Sequence, residues 1–246
     1  MRRLAAIILS AAVFAAGIYA YTDSFAATSS NPAYSDLIDA VKNGKEEETV
    51  AGLYQEYMDE SLTMTEMARI EYHMARYFKD MGNEAEAKRH VELGKQFLAG
   101  IGEDEGELMR RVAEADIVSA DYYVNGGISK GMESSDLMKK LYADYPDEYY
   151  IALQEAFRLL YTPAIAGGSA KKALSIFNDI EKEIDGLSKL DLFSFYSGKG
   201  MALSQRDEYD ESDRYLDKAE DIYTGDPAID DIRKDNRRGK RSNRNR

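Results

Sequence analysis

The 246-residue chain carries 45 acidic residues against 32 Lys and Arg, for a net charge of -13, with 44% apolar residues and no cysteine. That apolar fraction is globular, and the length suits one domain with a substantial core. The lack of cysteine excludes disulfides, thiolate metal sites, a cysteine nucleophile and an N-terminal lipoprotein cysteine. Charge is unevenly spread: positions 233–246 sum to +7 and everything before them to -20. An acidic body argues against nucleic acid as a partner and suits a protein partner or a neutral or cationic small molecule.

Residues 1–26 read as a secretory signal peptide. Arg2 and Arg3 precede an apolar run from Leu4 to Ile18 that is short for a membrane span, and Ser24-Phe25-Ala26 offers small residues for cleavage after Ala26, with Ala20 as the alternative. The expected location is the periplasm.

From Tyr34 onward the apolar spacing is helical throughout. Leu37, Ile38 and Val41 form a short face that stops at Asn43-Gly44, and Val50, Leu53, Tyr54 and Tyr57 form the next. Thr65 is the expected N-cap of a helix that places Ile70, Met74, Tyr77 and Phe78 on one side and breaks at Met81-Gly82-Asn83. Glu84 to Leu98 restarts it. After the acidic loop at 103–106, Glu107 to Val124 is a helix bounded by Asn125-Gly126-Gly127. A short segment at 128–132 leads into a helix over 134–145, which Pro146 ends. Asp147 caps the next, with Tyr150, Leu153, Phe157, Leu160 and Tyr161 on one stripe. The stretch YTPAIAGG then interrupts the pattern before Ser169, the expected N-cap of a helix carrying Ala173, Phe177, Ile180 and Ile184. The final pair spans 190–205 and 208–223. The compact domain is expected over 27–232, with the basic tail over 233–246 disordered because it lacks apolar periodicity.

Two segments share the spacing of a tetratricopeptide unit of about 34 residues. Ala75, Phe78, Ala87, Val91 and Gly94 fall at its eighth, eleventh, twentieth, twenty-fourth and twenty-seventh places, and so do Gly200, Leu203, Ser212, Leu216 and Ala219. Small residues there let paired helices approach, and large ones fill the space between turns. A third unit matches only in its second helix, at Ala173, Phe177 and Ile180. The expected fold is therefore all-α, an α-solenoid of tetratricopeptide-like helical hairpins.

The segment LMKKLYADYPDEYYIALQEAFRLLYTPAIAGGSAKKALSIFNDIE resembles the T-component family, the tetratricopeptide-like proteins associated with bacterial TRAP transporters. In that family an aromatic-Pro-Gly-Gly insertion precedes a helix of the form x-K-K-A-x-x-x-F. The matching residues here are Tyr161, Pro163, Gly167, Gly168, Lys171, Lys172, Ala173 and Phe177, and the likeness covers about 107–184. It implies a periplasmic scaffold that assembles with itself as a homo-oligomer and with an extracytoplasmic solute-binding protein, and that presents a channel or cleft to apolar ligands. Lipid-anchored members carry a cysteine, which this sequence lacks.

No catalytic residue, metal site or cofactor is expected. His73 and His90 have no metal-binding neighbours, and no serine sits in a G-x-S-x-G context. Gly167-Gly168-Ser169-Ala170-Lys171-Lys172 lacks the order of a phosphate loop and reads as a structural turn at Gly167, Gly168 and Ser169, with φ > 0 at a glycine. The acidic clusters at 103–107 and 207–211 read as solvated turns. Tyr145, Tyr149, Tyr150, Phe157, Tyr161, Pro163 and Ile165 are the candidate binding residues, since tyrosine combines an apolar body with a polar tip and first helices line a solenoid's inner wall. Two readings follow: a scaffold binding a protein partner, or a carrier of a small apolar or amphiphilic ligand in an interhelical cleft.

Overall fold

The structure is a computed structural model that describes residues 32–58, 62–185 and 187–244. The signal-peptide reading and its two cleavage points lie outside the described residues. Among the described residues there are eleven α-helices and no strand. They are α1 (Pro32–Lys42), α2 (Glu47–Met58), α3 (Met64–Asp80), α4 (Glu84–Gly100), α5 (Glu107–Asn125), α6 (Ile128–Asp144), α7 (Tyr149–Tyr161), α8 (Ala170–Ile180), α9 (Lys189–Ser204), α10 (Tyr209–Glu220) and α11 (Pro227–Arg244). Each odd helix packs on the even helix that follows it, and α3 also lies against α5, as α7 lies against α9. The result is an α-solenoid of helical hairpins.

The ten spacing residues explain the closest approaches. Ala75, Phe78, Ala87, Val91 and Gly94 are all buried where α3 meets α4. Gly200, Leu203, Ser212, Leu216 and Ala219 are buried where α9 meets α10. A Cβ at Gly200 would lie 2.7 Å from Leu216 Cδ2, and one at Gly94 would collide with Ile117 of α5. The Ser212 hydroxyl donates to the Gly200 carbonyl at 2.8 Å, so the small polar residue is satisfied inside the contact. A third close point is Gly198, where a Cβ would meet Phe177 and Phe157. It lets α9 pass directly over the aromatic core formed by Phe157, Phe177 and Phe195.

Several boundaries differ from the sequence expectation. Thr63, not Thr65, caps α3, in a reciprocal capping box with Glu66; Thr65 is the buried second residue of the helix, and its N–H is taken by Glu105 at 2.9 Å. The acidic 103–105 turn thus holds α3 in place. Residues 128–144 form one continuous helix, and Glu148, not Asp147, precedes α7. The middle unit keeps its expected irregularity. After Tyr161 a short 3-10 turn (Ala164–Ala166) leads to Gly167 at φ +97°, and Ser169 caps α8 by accepting the Lys172 N–H.

The largest difference is at the C-terminus, where 233–244 is helical rather than disordered. Its order comes from polar pairing instead of an apolar face. Arg233 bonds Asp217 and Glu220, Lys240 bonds Asp210 and Asp213, and the buried Asn236 amide donates to Ser212 and Asp213. Of the acidic cluster at 207–211 that read as a solvated turn, Asp210 helps dock α11, alongside Asp213, Asp217 and Glu220 further along α10. Gly239 lets this helix pass against the Tyr209 ring.

The two ends of the solenoid also meet. Asp39 of α1 accepts from Tyr223 and from Lys189, each at 2.6 Å, and Asn43 lies against the Gly225 backbone. Replacing Gly200 by Val should lower stability by about 1–3 kcal/mol in urea unfolding through overpacking. Gly52→Ala in α2, where nothing lies within 4 Å, should raise it by up to about 1 kcal/mol.

Candidate functional site

The first helices of successive hairpins touch one another: α1 lies against α3, α3 against α5 and α7 against α9. On α3 the residues Arg69, Tyr72, His73 and Arg76 recur at helical spacing, so one face of this helix is polar and aromatic where the opposite faces carry the core. Tyr34 of α1, 3% exposed, hydrogen-bonds His73 Nε2 at 3.4 Å. Burial pushes the His73 imidazole well below its ordinary pKa, with Lys42, Arg69 and Arg76 adding to the effect, which keeps the ring neutral at neutral pH.

Deeper in the wall, the Tyr150 hydroxyl sits 2.9 and 2.8 Å from the two oxygens of buried Asp116, and Arg69 lies over the Tyr150 ring at 5.2 Å. This ties α7 to α5 and both to α3. Burial raises the Asp116 carboxyl to about 6, although Arg69, Tyr150 and Arg76 pull it back. One step further along, Tyr149 donates to Asp191 of α9 at 2.8 Å, and Ser188 donates to the same carboxylate at 2.5 Å. Successive first helices are therefore linked by tyrosine–aspartate bonds.

Towards the other end of α3 the wall opens. The Arg76 guanidinium lies over the rings of Tyr123 at 4.5 Å and Tyr72 at 5.6 Å. The Tyr123 hydroxyl donates to Asp80. Tyr161, the last residue of α7, is 64% exposed. Phe157 stacks beneath it at 6.2 Å. Just outside, Tyr122, Tyr123, Gly126, Gly127 and Ile128 line a shallow cavity of about 350 Å³.

Comparison with known proteins leaves the geometry to speak alone. No family model, curated protein or solved structure matches the chain.

The candidate residues divide by their environment. Tyr145 is half-buried under Arg111 at the end of α6, and Tyr149 and Tyr150 are engaged by aspartates within the wall. Phe157 packs edge-on against Phe177. Tyr161, Pro163 and Ile165 remain open, with Ile165 99% exposed at the tip of the 3-10 turn. Gly167 adopts the left-handed φ, while Gly168 presses against the Thr162 carbonyl so that the Ser169 N–H can reach Leu159 O at 2.8 Å. The sequence expectation did not include Arg76, Tyr72 or Asp116. The available signal was the 69-72-73-76 spacing, a polar stripe on a helix whose remaining faces are apolar.

His90 is a core residue. Its ring lies 2.5 Å from Glu71, stacks on Phe78 and takes the edge of Tyr54, whose hydroxyl donates to Glu71 at 2.6 Å. Among the described residues no group of three or more His, Asp or Glu side chains could hold a metal ion.

Truncating His90 to Ala should cost about 3 kcal/mol in chemical unfolding, because it strands Glu71 in the core. Asp116 supplies a pH test with a defined sign. Its folded pKa, about 6, exceeds its ordinary 3.8, so the folded state holds the proton more tightly. Stability from this group is full below about 4 and lost as pH rises through 6. Relative to wild type, Asp116→Asn should lose that decline, gaining stability at pH 7 over pH 4.5 in parallel urea titrations.

Proposed function

We propose that this protein is an exported, non-enzymatic scaffold that docks a protein partner, an extracytoplasmic solute-binding protein, on the apolar end of its hairpin stack. The observation that carries this is the grouping of large apolar side chains left in water. Ile128 is 85% exposed, Met132 63%, Tyr122 47% and Ile165 99%. A Cβ on Gly131 would touch the Tyr122 ring at 2.9 Å, so Tyr122, Ile128 and Met132 form one surface. Arg158, one turn before Tyr161, bonds Ser135, one turn after Met132, at 3.3 Å; the insertion bearing Ile165 therefore lies at this same end. Exposed apolar groups of this size gathered at one end of an otherwise acidic molecule favour a protein contact over bulk water. The basic n-region with its apolar run supports export, and the likeness of 107–184 to T components supports the choice of partner.

A second reading is favoured by a separate feature. The Arg76 guanidinium, lying among the rings of Tyr72 and Tyr123, suits a carrier of a small amphiphilic ligand.

Ile165→Asp combined with Ile128→Asp tests the scaffold reading. Both side chains are exposed, so each substitution should change stability by no more than about 0.5 kcal/mol. In a pull-down from periplasmic extract the wild-type chain should recover a solute-binding protein, and the double variant should not. Equal recovery by both would remove the apolar end from the interface, and no specific partner from the wild type would sink the reading.

A further inference from the structure

We infer that the outer face of α11 is a docking surface for a membrane rich in anionic phospholipid, held through the headgroup phosphates. The inference stands apart from the partner at the apolar end and from any ligand of the inner wall.

Two faces of α11 divide its basic residues. Arg233, Asn236 and Lys240 recur at spacings of three and four and turn inward, onto Asp210, Ser212, Asp213, Asp217 and Glu220 of α10. Ile229 and Ile232 pack on that same inner side. Lys234, Arg237, Arg238 and Arg241 follow the spacing i, i+3, i+4, i+7 of a single helical stripe, and all four are exposed. Lys234 and Arg238 pair with Asp231 and Asp235, each three residues earlier on the same helix, at 2.7 and 3.1 Å. Exposed pairs of this kind contribute little and are readily exchanged for a stronger partner. Arg237 and Arg241 have no carboxylate at ion-pair distance among the described residues. One turn apart, their like charges oppose each other, so the fold gains nothing from the stripe.

The charge is also concentrated along the chain. From Asn236 to Arg246 the sequence carries six basic residues and no acidic one. The acidic residues of α10 nearest this helix are already engaged by Arg233 and Lys240. Those further back lie behind the helix, whose thickness of about 10 Å matches the Debye length at about 0.1 M salt. A surface that meets only the stripe is therefore shielded from the acidic body.

Shape selects among anionic partners. Three of the four stripe residues are arginines, whose planar forks match pairs of phosphate oxygens. Because α11 lies along α10, one side of it is free. A flat layer of headgroups can meet that side, whereas a DNA major groove about 12 Å wide would have to admit α10 as well. No aromatic residue stands on α11 to stack the bases of a single strand. The stripe has no apolar residue either, so the helix rests on headgroups without entering the acyl chains, and charge alone holds it.

Co-sedimentation of the full chain with vesicles of phosphatidylglycerol and phosphatidylcholine, beside vesicles of phosphatidylcholine alone, tests this. Binding should require phosphatidylglycerol. Raising salt from about 0.1 M to about 1 M, which shortens the Debye length from about 10 Å to about 3 Å, should abolish it. Each basic residue at an anionic surface strengthens binding about fivefold, so Arg237→Gln with Arg241→Gln should weaken it about twentyfold or more, with the urea midpoint unchanged. Lys171→Gln with Lys172→Gln removes the same charge from exposed positions of α8 and should leave vesicle binding as it was. No binding to phosphatidylglycerol, equal binding to both vesicles, survival at high salt, or equal loss in the two double variants would each overturn the inference. Tighter capture by a DNA duplex or by polyglutamate through the same two arginines would overturn it too, by giving the stripe to a nucleic acid or an acidic protein.

Discussion

Close approach of neighbouring helices, within hairpins and between them, is the constraint on which this molecule depends. At Gly94, Gly198 and Gly200 there is no room for a Cβ, because Ile117, Phe177 and Leu216 occupy the space one would fill. Helices that pass this closely leave little freedom in how one hairpin stacks on the next. The inner wall inherits its order from that stacking. Arg76 and Tyr123 come from different helices and meet only because α3 lies against α5.

Polar side chains then do what apolar ones cannot in a narrow solenoid. Tyr150 and Tyr149 bury their rings between hairpins and end on Asp116 and Asp191, so each junction gains apolar contact along with a satisfied hydroxyl. Asp39 does the same between the two ends of the chain, accepting from Tyr223 and Lys189. Contacts of this kind are directional. They hold the wall in one geometry and keep α1 against the concave side, where its Tyr34 reaches His73. The insertion after Tyr161 works against regularity: by spending extra residues at the edge, it leaves Tyr161 and Ile165 in water.

Much of this was legible in the sequence. Helical spacing located ten of the helices to within a few residues, and the ten small and large positions of the repeat all proved buried at hairpin contacts. The Gly167-Ser169 turn also followed from local chemistry, since a left-handed glycine and a serine cap need no distant partner. The helix over 233–244 was not legible for the converse reason. Its residues have no apolar period, and the groups that hold it, Asp210, Asp213, Asp217 and Glu220, lie on α10. A solvated charge and a docked charge look the same in one dimension.

The candidate site shows the same division. Sequence alone determined that tyrosines are abundant in the middle of the chain, that the YTPAIAGG stretch breaks the repeat, and that helices dominate, because propensity, capping and periodicity act over a few neighbouring residues. Only tertiary structure decided that Tyr150 is locked onto Asp116 while Tyr161 stays open, and that the guanidinium of Arg76 meets Tyr123, 47 positions away in the chain. Those outcomes depend on which helix lies beside which, and that is settled by close packing summed over the whole stack.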